Sequence, residues 1–494
     1  MKDPPDRSKQ DDDFEMTELS DHEHESETSS NNIHSIDEIS YIFLLIIAMK
    51  KALPLSLSLV ANVGSLTFIS CTMSRMTRNQ DILGAVGLGN MTLNLILRSY
   101  IFGFNNSLMS SLSQAYRTGQ YSKMGHIINK SKILFLLCMI PLMIFLFFIY
   151  RILLLFGLNE RVASNTQFYV RIGMIAFVFH LYFDVYRKML NSIGLSYVHS
   201  SVPYISFGLH IFWCFSLITY FDLGLVGAAI SVNIQSLTNL AILYLIVRWF
   251  GYGKEISKPM SKEAFEGWSE FLVKGIPSFL LQLISYMSIE IIILLSGAID
   301  TEILIANSAL VNLLYLMYLY IYGAVQALSP MITTEIREGN KKGAERIINT
   351  LILFGVVFTF ISLLILHCFK HFIFYLYTPQ ESIIEKMDKI VYIYSLALAL
   401  NNMKDTLVGV IIGLGIQNKT VAFNLVSYLL LGIPLSYYLS LSHHWTNSGP
   451  WLGISLANFL NVIYYLYLCK GIDLQWFVQQ YRRKYLRVSR ISLD

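Results

Sequence analysis

The stretch "YRTGQYSKMGHII" (residues 116–128) returns in altered form as "IREGNKKGAERII" (336–348). Each version closes a long apolar run, turns at a glycine, and opens the next run with Ile-Ile. Three more pairs keep the same order. "KALP" (51–54) answers "KGIP" (274–277), "DIL" (81–83) answers "EIL" (302–304), and "GLVGAAISVN" (224–233) answers "PWLGISLAN" (450–458). An offset held near 220 across four pairs marks two homologous halves.

Composition says what those halves are made of. Of 494 residues, 54% are hydrophobic and only 14% charged, with mean hydropathy +0.52, which excludes an ordinary soluble chain. Twelve apolar runs are each long enough to cross about 30 Å of hydrocarbon. They fall near 46–72, 82–112, 131–157, 166–192, 199–219, 223–248, 271–297, 303–332, 347–373, 389–413, 418–440 and 450–469. Six spans per half is an even number, so both halves enter the membrane in the same direction. The expected fold is an all-α polytopic membrane protein of twelve transmembrane helices. Two six-helix lobes are related by an internal parallel repeat, with substrate sites near mid-membrane.

The domain plan follows. Residues 1–40 carry thirteen acids against three bases and should form a disordered tail, with neither the basic start nor the apolar centre of a signal peptide. An N-lobe spans 41–248, a cytoplasmic linker 249–270, and a C-lobe 271–470. The basic 471–494 segment ("YRRKYLRVSR") suits contact with anionic cytoplasmic lipid. Basic residues collect after spans two, four, six and eight, at Lys123, Arg187, Lys188, Lys258, Lys341 and Lys342 among others. The positive-inside rule then places both termini in the cytoplasm. The five cysteines lack paired spacing, so no disulfide framework or zinc site is expected.

Glu290, inside "SYMSIEIIILLSGAID" (285–300), is the chemical anomaly. A carboxylate at membrane depth costs about 2.5–3.5 kcal/mol on insertion scales, and no Lys or Arg lies in the apolar part of its own helix. Ser278, Gln282, Tyr286 and Glu290 recur every four residues on one face. On span eight Ser308, Asn312, Tyr315, Tyr322 and Gln326 keep three-four spacing, with Leu319 the one apolar member, and on span ten Asn401 and Asp405 share a face. Three polar stripes in one half imply a wettable cavity, since none faces lipid cheaply. Bundle-holding hydrogen bonds, averaging about 0.6 kcal/mol, are the plainer account of the asparagines and tyrosines. Burial favours the neutral acid and an approaching cation favours the carboxylate, so proton and cation compete for one charge. Tyr286, Tyr315 and Tyr322 offer apolar and cation–π contacts to a flat cation.

The first half differs. Asn90, Asn94 and Arg98 lie four apart on span two. Asp184 on span four matches Asp405 at an offset of 221. Asp184 can pair locally with Arg187 or Lys188, or with Arg98 as an N-lobe gate. Lys404 adjoins Asp405, but neighbouring residues diverge on a helix, so that pairing is expected to be poor. His367 and His371 have ligand spacing without a third ligand. No nucleophile elbow, phosphate loop or His-Glu-x-x-His motif is present, so an enzyme is not expected.

"LGAVGLGN" (83–90) followed by "SQAYRTGQY" (113–121) resembles the multidrug and toxic compound extrusion (MATE) family, in its eukaryotic branch. "SIEIIILLSG", "LGLVGAAISVNI" and "GLGIQNKTVAFNLVSYLLLGIPLSYYL" match their expected places, and the similarity covers about residues 45–470. The resemblance implies twelve helices in two lobes, ion-coupled antiport by alternating access, and organic, often cationic, substrates. It also implies that Asn94 is a recurrent family asparagine and Glu290 a coupling carboxylate. Four positions depart. "MITTEIREGN" keeps only Glu335 and Gly-Asn of the family loop, and acids expected in relatives fall on Ser285, Asn312 and Asn401, with Asp405 one turn after the last.

The expectation is therefore a proton-coupled exporter of organic, cationic or amphipathic compounds. Glu290 and Asp405 carry the proton, and Gln282, Tyr286, Asn312, Tyr315, Tyr322, Asn401 and Asn94 line the cavity. Sodium coupling, through oxygens of Asp, Asn and carbonyls, stays open. So does a lipid-linked saccharide flippase, which would favour a cationic cavity and for which Arg98 is the one hint. Partners are a small organic substrate, the coupling ion and the bilayer, with no cofactor, metal or nucleic acid. A monomer in the plasma membrane or a vacuolar or endolysosomal membrane is expected.

Overall fold

The computed structural model describes residues 41–117, 119–252, 256, 265–442 and 445–470. The expectations for the two tails, and for part of the linker, lie outside the described residues. Among these residues there is no strand.

The spans are α1 (Tyr41–Met76), α2 (Gln80–Tyr116), α3 (Tyr121–Phe147) and α4, a bent pair of Glu160–Gly173 and Ile175–Ser192. Then come α5 (Val198–Tyr220), α6 (Gly224–Trp249), and α7, a second bent pair of Phe271–Ile284 and Tyr286–Ile299. The rest are α8 (Thr301–Ile336), α9 (Lys341–Tyr377), α10 (Val391–Leu414), α11 (Asn418–Leu441) and α12 (Gly449–Lys470). Among the described residues nine single helices are long and apolar enough to cross a membrane, and the two bent pairs bring the number to eleven. At 36 residues α1 is about 54 Å long at 1.5 Å per residue, long enough to cross a bilayer.

Local chemistry sets the ends. Asn79, Asn159 and Asn340 cap the starts of α2, α4 and α9, accepting from the backbone N–H of Asp81, Arg161 and Gly343. In the two opening motifs the turns fall at Gly119 (φ 66°) and Gly339 (φ 85°), left-handed conformations that glycine adopts without steric cost.

The repeat is written into the backbone as well. α3 breaks at Phe148 (φ −110°, ψ 20°) and α9 at Phe369 (φ −120°, ψ 16°). A π-helical turn at Phe215–Tyr220 in α5 is matched at Tyr438–Ser442 in α11. α1 packs along α8 and α2 along α7, one contact seen twice under the repeat. At this seam a Cβ on Gly103 would stand 2.3 Å from Phe279 Cα, and one on Gly323 2.7 Å from Ala52 O and 2.0 Å from Ser56 Oγ.

The end of the bundle where α1 starts and α12 finishes is termed the tail face. At the opposite face the lobes are tied together. Ser74 donates to Tyr377 O (2.5 Å), Arg75 to Leu376 O (2.9 Å), and Gln80 to Glu302 Oε1 (2.8 Å).

Candidate functional site

The stripe on α7 survives a 43° bend between Ile284 and Tyr286. Beyond the bend Glu290 is 1% exposed, and Tyr315 of α8 donates its hydroxyl to Glu290 Oε1 at 3.2 Å. From the other lobe, Asn94 and the Arg98 guanidinium act on the same carboxylate. No ion pair joins Arg98 to Glu290 among the described residues, so the two charges face each other without contact. A five-residue π-helical turn, Asn94–Arg98, presents them. Four α-helical residues overshoot a turn by about 40°, and the wider π-turn takes that back. Asn90, Asn94 and Arg98 thereby stay on one face.

Aromatic rings floor the space between the lobes. Phe102 of α2 stacks on Tyr286 with centroids 6.3 Å apart and planes 14° apart, and Arg187 lies 5.9 Å from the Phe102 ring. Tyr322 meets Tyr318 edge-on at 5.8 Å. Tyr318 is a residue the stripe on α8 omits. It lies within electrostatic reach of Asp405, Tyr322 and Tyr286. The fully apolar position is Leu319, which is buried in the core. Gln326 is exposed. Gln282 and Asn312 are half-buried and make no side-chain hydrogen bond among the described residues.

The second acidic group corrects an expectation. Lys404 does pair with Asp405, at 3.2 Å, and both side chains are largely buried. Backbone divergence between neighbours is overcome by a four-carbon stem that turns back, and by the strength of charge attraction away from water. The ammonium also donates to Asn401 Oδ1 (3.3 Å) and Tyr428 Oη (3.2 Å), while Asn401 Nδ2 donates to Asp405 Oδ2 (3.0 Å). Tyr428 in turn donates its hydroxyl hydrogen bond to Asn458 Oδ1. Asn401 is thus engaged within this network.

In the N-lobe, Asp184 forms its ion pair with Arg187, three residues on, as the local reading expects. No ion pair joins Asp184 to Arg98, so the gate suggested for them is not assembled here. His367 donates to or accepts from Ser395 Oγ at 3.0 Å and stacks on Tyr392. Among the described residues no three His, Cys, Asp or Glu side chains gather as metal ligands.

The MatE family model matches residues 54–216 and again 277–438, one copy per half and together more than half of the chain. Protein DETOXIFICATION 9 of Arabidopsis thaliana is 26% identical over 421 residues, covering 84% of this chain and 87% of that protein. Multidrug and toxin extrusion protein 1 of Homo sapiens is 26% identical over 404 residues, covering 80% and 69%. The crystal structure of the eukaryotic MATE transporter AtDTX14 superposes with a TM-score of 0.74 at 22% identity, over 89% of this chain and 99% of that one. A doubled family match on a doubled six-helix fold leaves one assignment: the chain belongs to the MatE family of integral membrane transporters.

Proposed function

We propose that the protein exports organic, cationic or amphipathic compounds in exchange for protons, with Glu290 as the coupling carboxylate. The observation that carries this is a carboxylate 1% exposed in the second half of α7, held by a tyrosine hydroxyl and in no ion pair among the described residues. Such a group exchanges a proton for a cation because both satisfy the same charge. Either ligand shifts the inward–outward equilibrium only by binding one state better. Relatives named for detoxification and toxin extrusion support the substrate class.

Tyr286, Tyr315 and Tyr322 form the aromatic wall, with Gln282, Asn312 and Asn94 as adaptable polar contacts. Asp405 serves as a second acid whose protonation would release Lys404 and Asn401. The oxygens that would suit a sodium ion, from Asn401, Asp405 and Tyr428, already surround the Lys404 ammonium. That favours the proton. The tail face is cytoplasmic on the positive-inside rule, and the protein acts as a monomer.

The test is transport by full-length protein in proteoliposomes holding a fluorescent organic cation under an imposed pH gradient. Wild type should show gradient-driven exchange and Glu290→Gln should not. Equal exchange by both would remove Glu290 from coupling. Dependence on sodium alone would replace the ion.

A further inference from the structure

Arg98 is where this chain's cavity departs from a simple cation site. It lines a pocket of about 50 Å³ inside the N-lobe, together with Asn90, Asn94, His180, Gln235 and Asn239. On that measure one ordered water needs about 10–15 Å³, so the space fits a few waters or one carboxylate. Four buried polar atoms of the lining have no hydrogen-bond partner: Asn90 Nδ2, Arg98 Nε, His180 Nε2 and Asn239 Oδ1. Asn90 Nδ2 and Arg98 Nε are donors, His180 Nε2 is either by tautomer, and Asn239 Oδ1 accepts; buried polar atoms left unmade are expensive, and the convergence of the two donors on one cavity points to an acceptor bound there. The amide of Asn90 has a defined orientation, because its Oδ1 takes the Tyr169 hydroxyl at 2.9 Å and leaves Nδ2 free. No Asp or Glu lines the pocket. Of the acids that act on its basic groups, Asp184 is committed to Arg187 and Glu290 lies across the lobe boundary.

We propose that this pocket binds the carboxylate of a zwitterionic substrate whose cationic end is held by Glu290. The inference rests on the reading of Glu290 as the cation-binding coupling group. A plain organic cation drawn to Glu290 meets repulsion from Arg98, and once Glu290 is protonated the cavity keeps a net positive charge. A zwitterion matches both ends, and a guanidinium fork suits two carboxylate oxygens. The stacked pair of Phe102 and Tyr286 lies one helical turn from the two charges, Phe102 four residues from Arg98 and Tyr286 four from Glu290, and offers a flat ring system an apolar neighbour.

Rhodamine B, a zwitterion, and its ethyl ester, a cation with the same rings, provide the test. Binding to purified full-length protein in detergent is read by fluorescence anisotropy, and gradient-driven uptake in proteoliposomes by dye accumulation. Wild type should bind the acid about tenfold more tightly than the ester, the scale of one charge-assisted contact. Arg98→Gln should abolish that preference while leaving ester binding unchanged or tighter. Equal wild-type affinities for the two dyes would overturn the proposal without any variant needing to fold. Equal weakening of both dyes by Arg98→Gln would do the same. Replacing chloride by gluconate separates the two sources of an anion. Ester binding that needs chloride only when Arg98 is present would assign the pocket to a free halide and overturn the proposal. Loss of Glu290 dependence in uptake, with the dye preference intact, would instead count against the coupling reading.

Discussion

The hydroxyl of Tyr315 donates to Glu290 Oε1 at 3.2 Å, joining α8 to α7 inside the C-lobe. The bond fixes the carboxylate toward α2, where Asn94 and Arg98 act on it. Tyr315→Phe keeps the ring and removes this contact. A hydrogen bond to an ionised group is worth about 1.5–3 kcal/mol, so the gradient-driven rate should fall by about tenfold while protein yield stays normal. An unchanged rate would show that Tyr315 packs beside Glu290 without positioning it.

Lys404 and Asp405 form a buried ion pair, and removing one partner strands the other. Lys404→Met should destabilise the protein by about 3–5 kcal/mol, because an unpaired charge is left in a low-dielectric site. Lys404→Met combined with Asp405→Asn should recover most of that loss, since two neutral side chains remain. Melting of purified protein in detergent checks both. A double variant no better than the single would mean that packing by the lysine stem dominates over charge.

The lobe seam sets the third test. A Cβ on Gly103 meets Phe279 backbone at 2.3 Å, and one on Gly323 meets Ala52 O at 2.7 Å, so neither helix can move aside by a rotamer change alone. Gly103→Ala and Gly323→Ala should each lower stability by about 1–3 kcal/mol, the usual range for overpacking. Because the two contacts are equivalent under the repeat, the effects should be similar. A loss at one site only would show that the lobes are not held symmetrically.

How much of this was readable beforehand differs by residue. Glu290 and Tyr315 stand out because each lies on an amphipathic stripe of fixed period, and period is a property of sequence. Asp184 with Arg187 follows from three-residue spacing on one helix. Tyr318 was hidden because it sits between stripe positions, and only the packing of α8 against α10 turns it toward Asp405. The pairing of Lys404 with Asp405 is not legible in the sequence, because divergence of neighbouring Cβ vectors says little about where a long buried side chain ends. Arg98 was visible as an oddity, yet its pocket depends on α1, α4 and α6 converging, which no local pattern encodes.

At the face opposite the tails, Lys386 of the short helix Glu381–Lys389 bonds Asp300 Oδ2 and Glu302 Oε2, both at 3.1 Å. Glu302 in turn accepts from Gln80 of the other lobe, so the lysine braces a link between lobes. Burial alone would lower the lysine's pKa, but hydrogen bonds and charge from Asp300 and Glu302 raise it above its ordinary value. A raised value means the stabilisation is complete below the unfolded lysine value of about 10.4 and fades only as pH climbs through the folded one. Lys386→Met should therefore lower the melting temperature by the same small amount, about 2 °C or less for so exposed a group, at pH 6 and at pH 9. A difference between wild type and variant that closes by pH 9 would show that the two acids do not hold the ammonium in place.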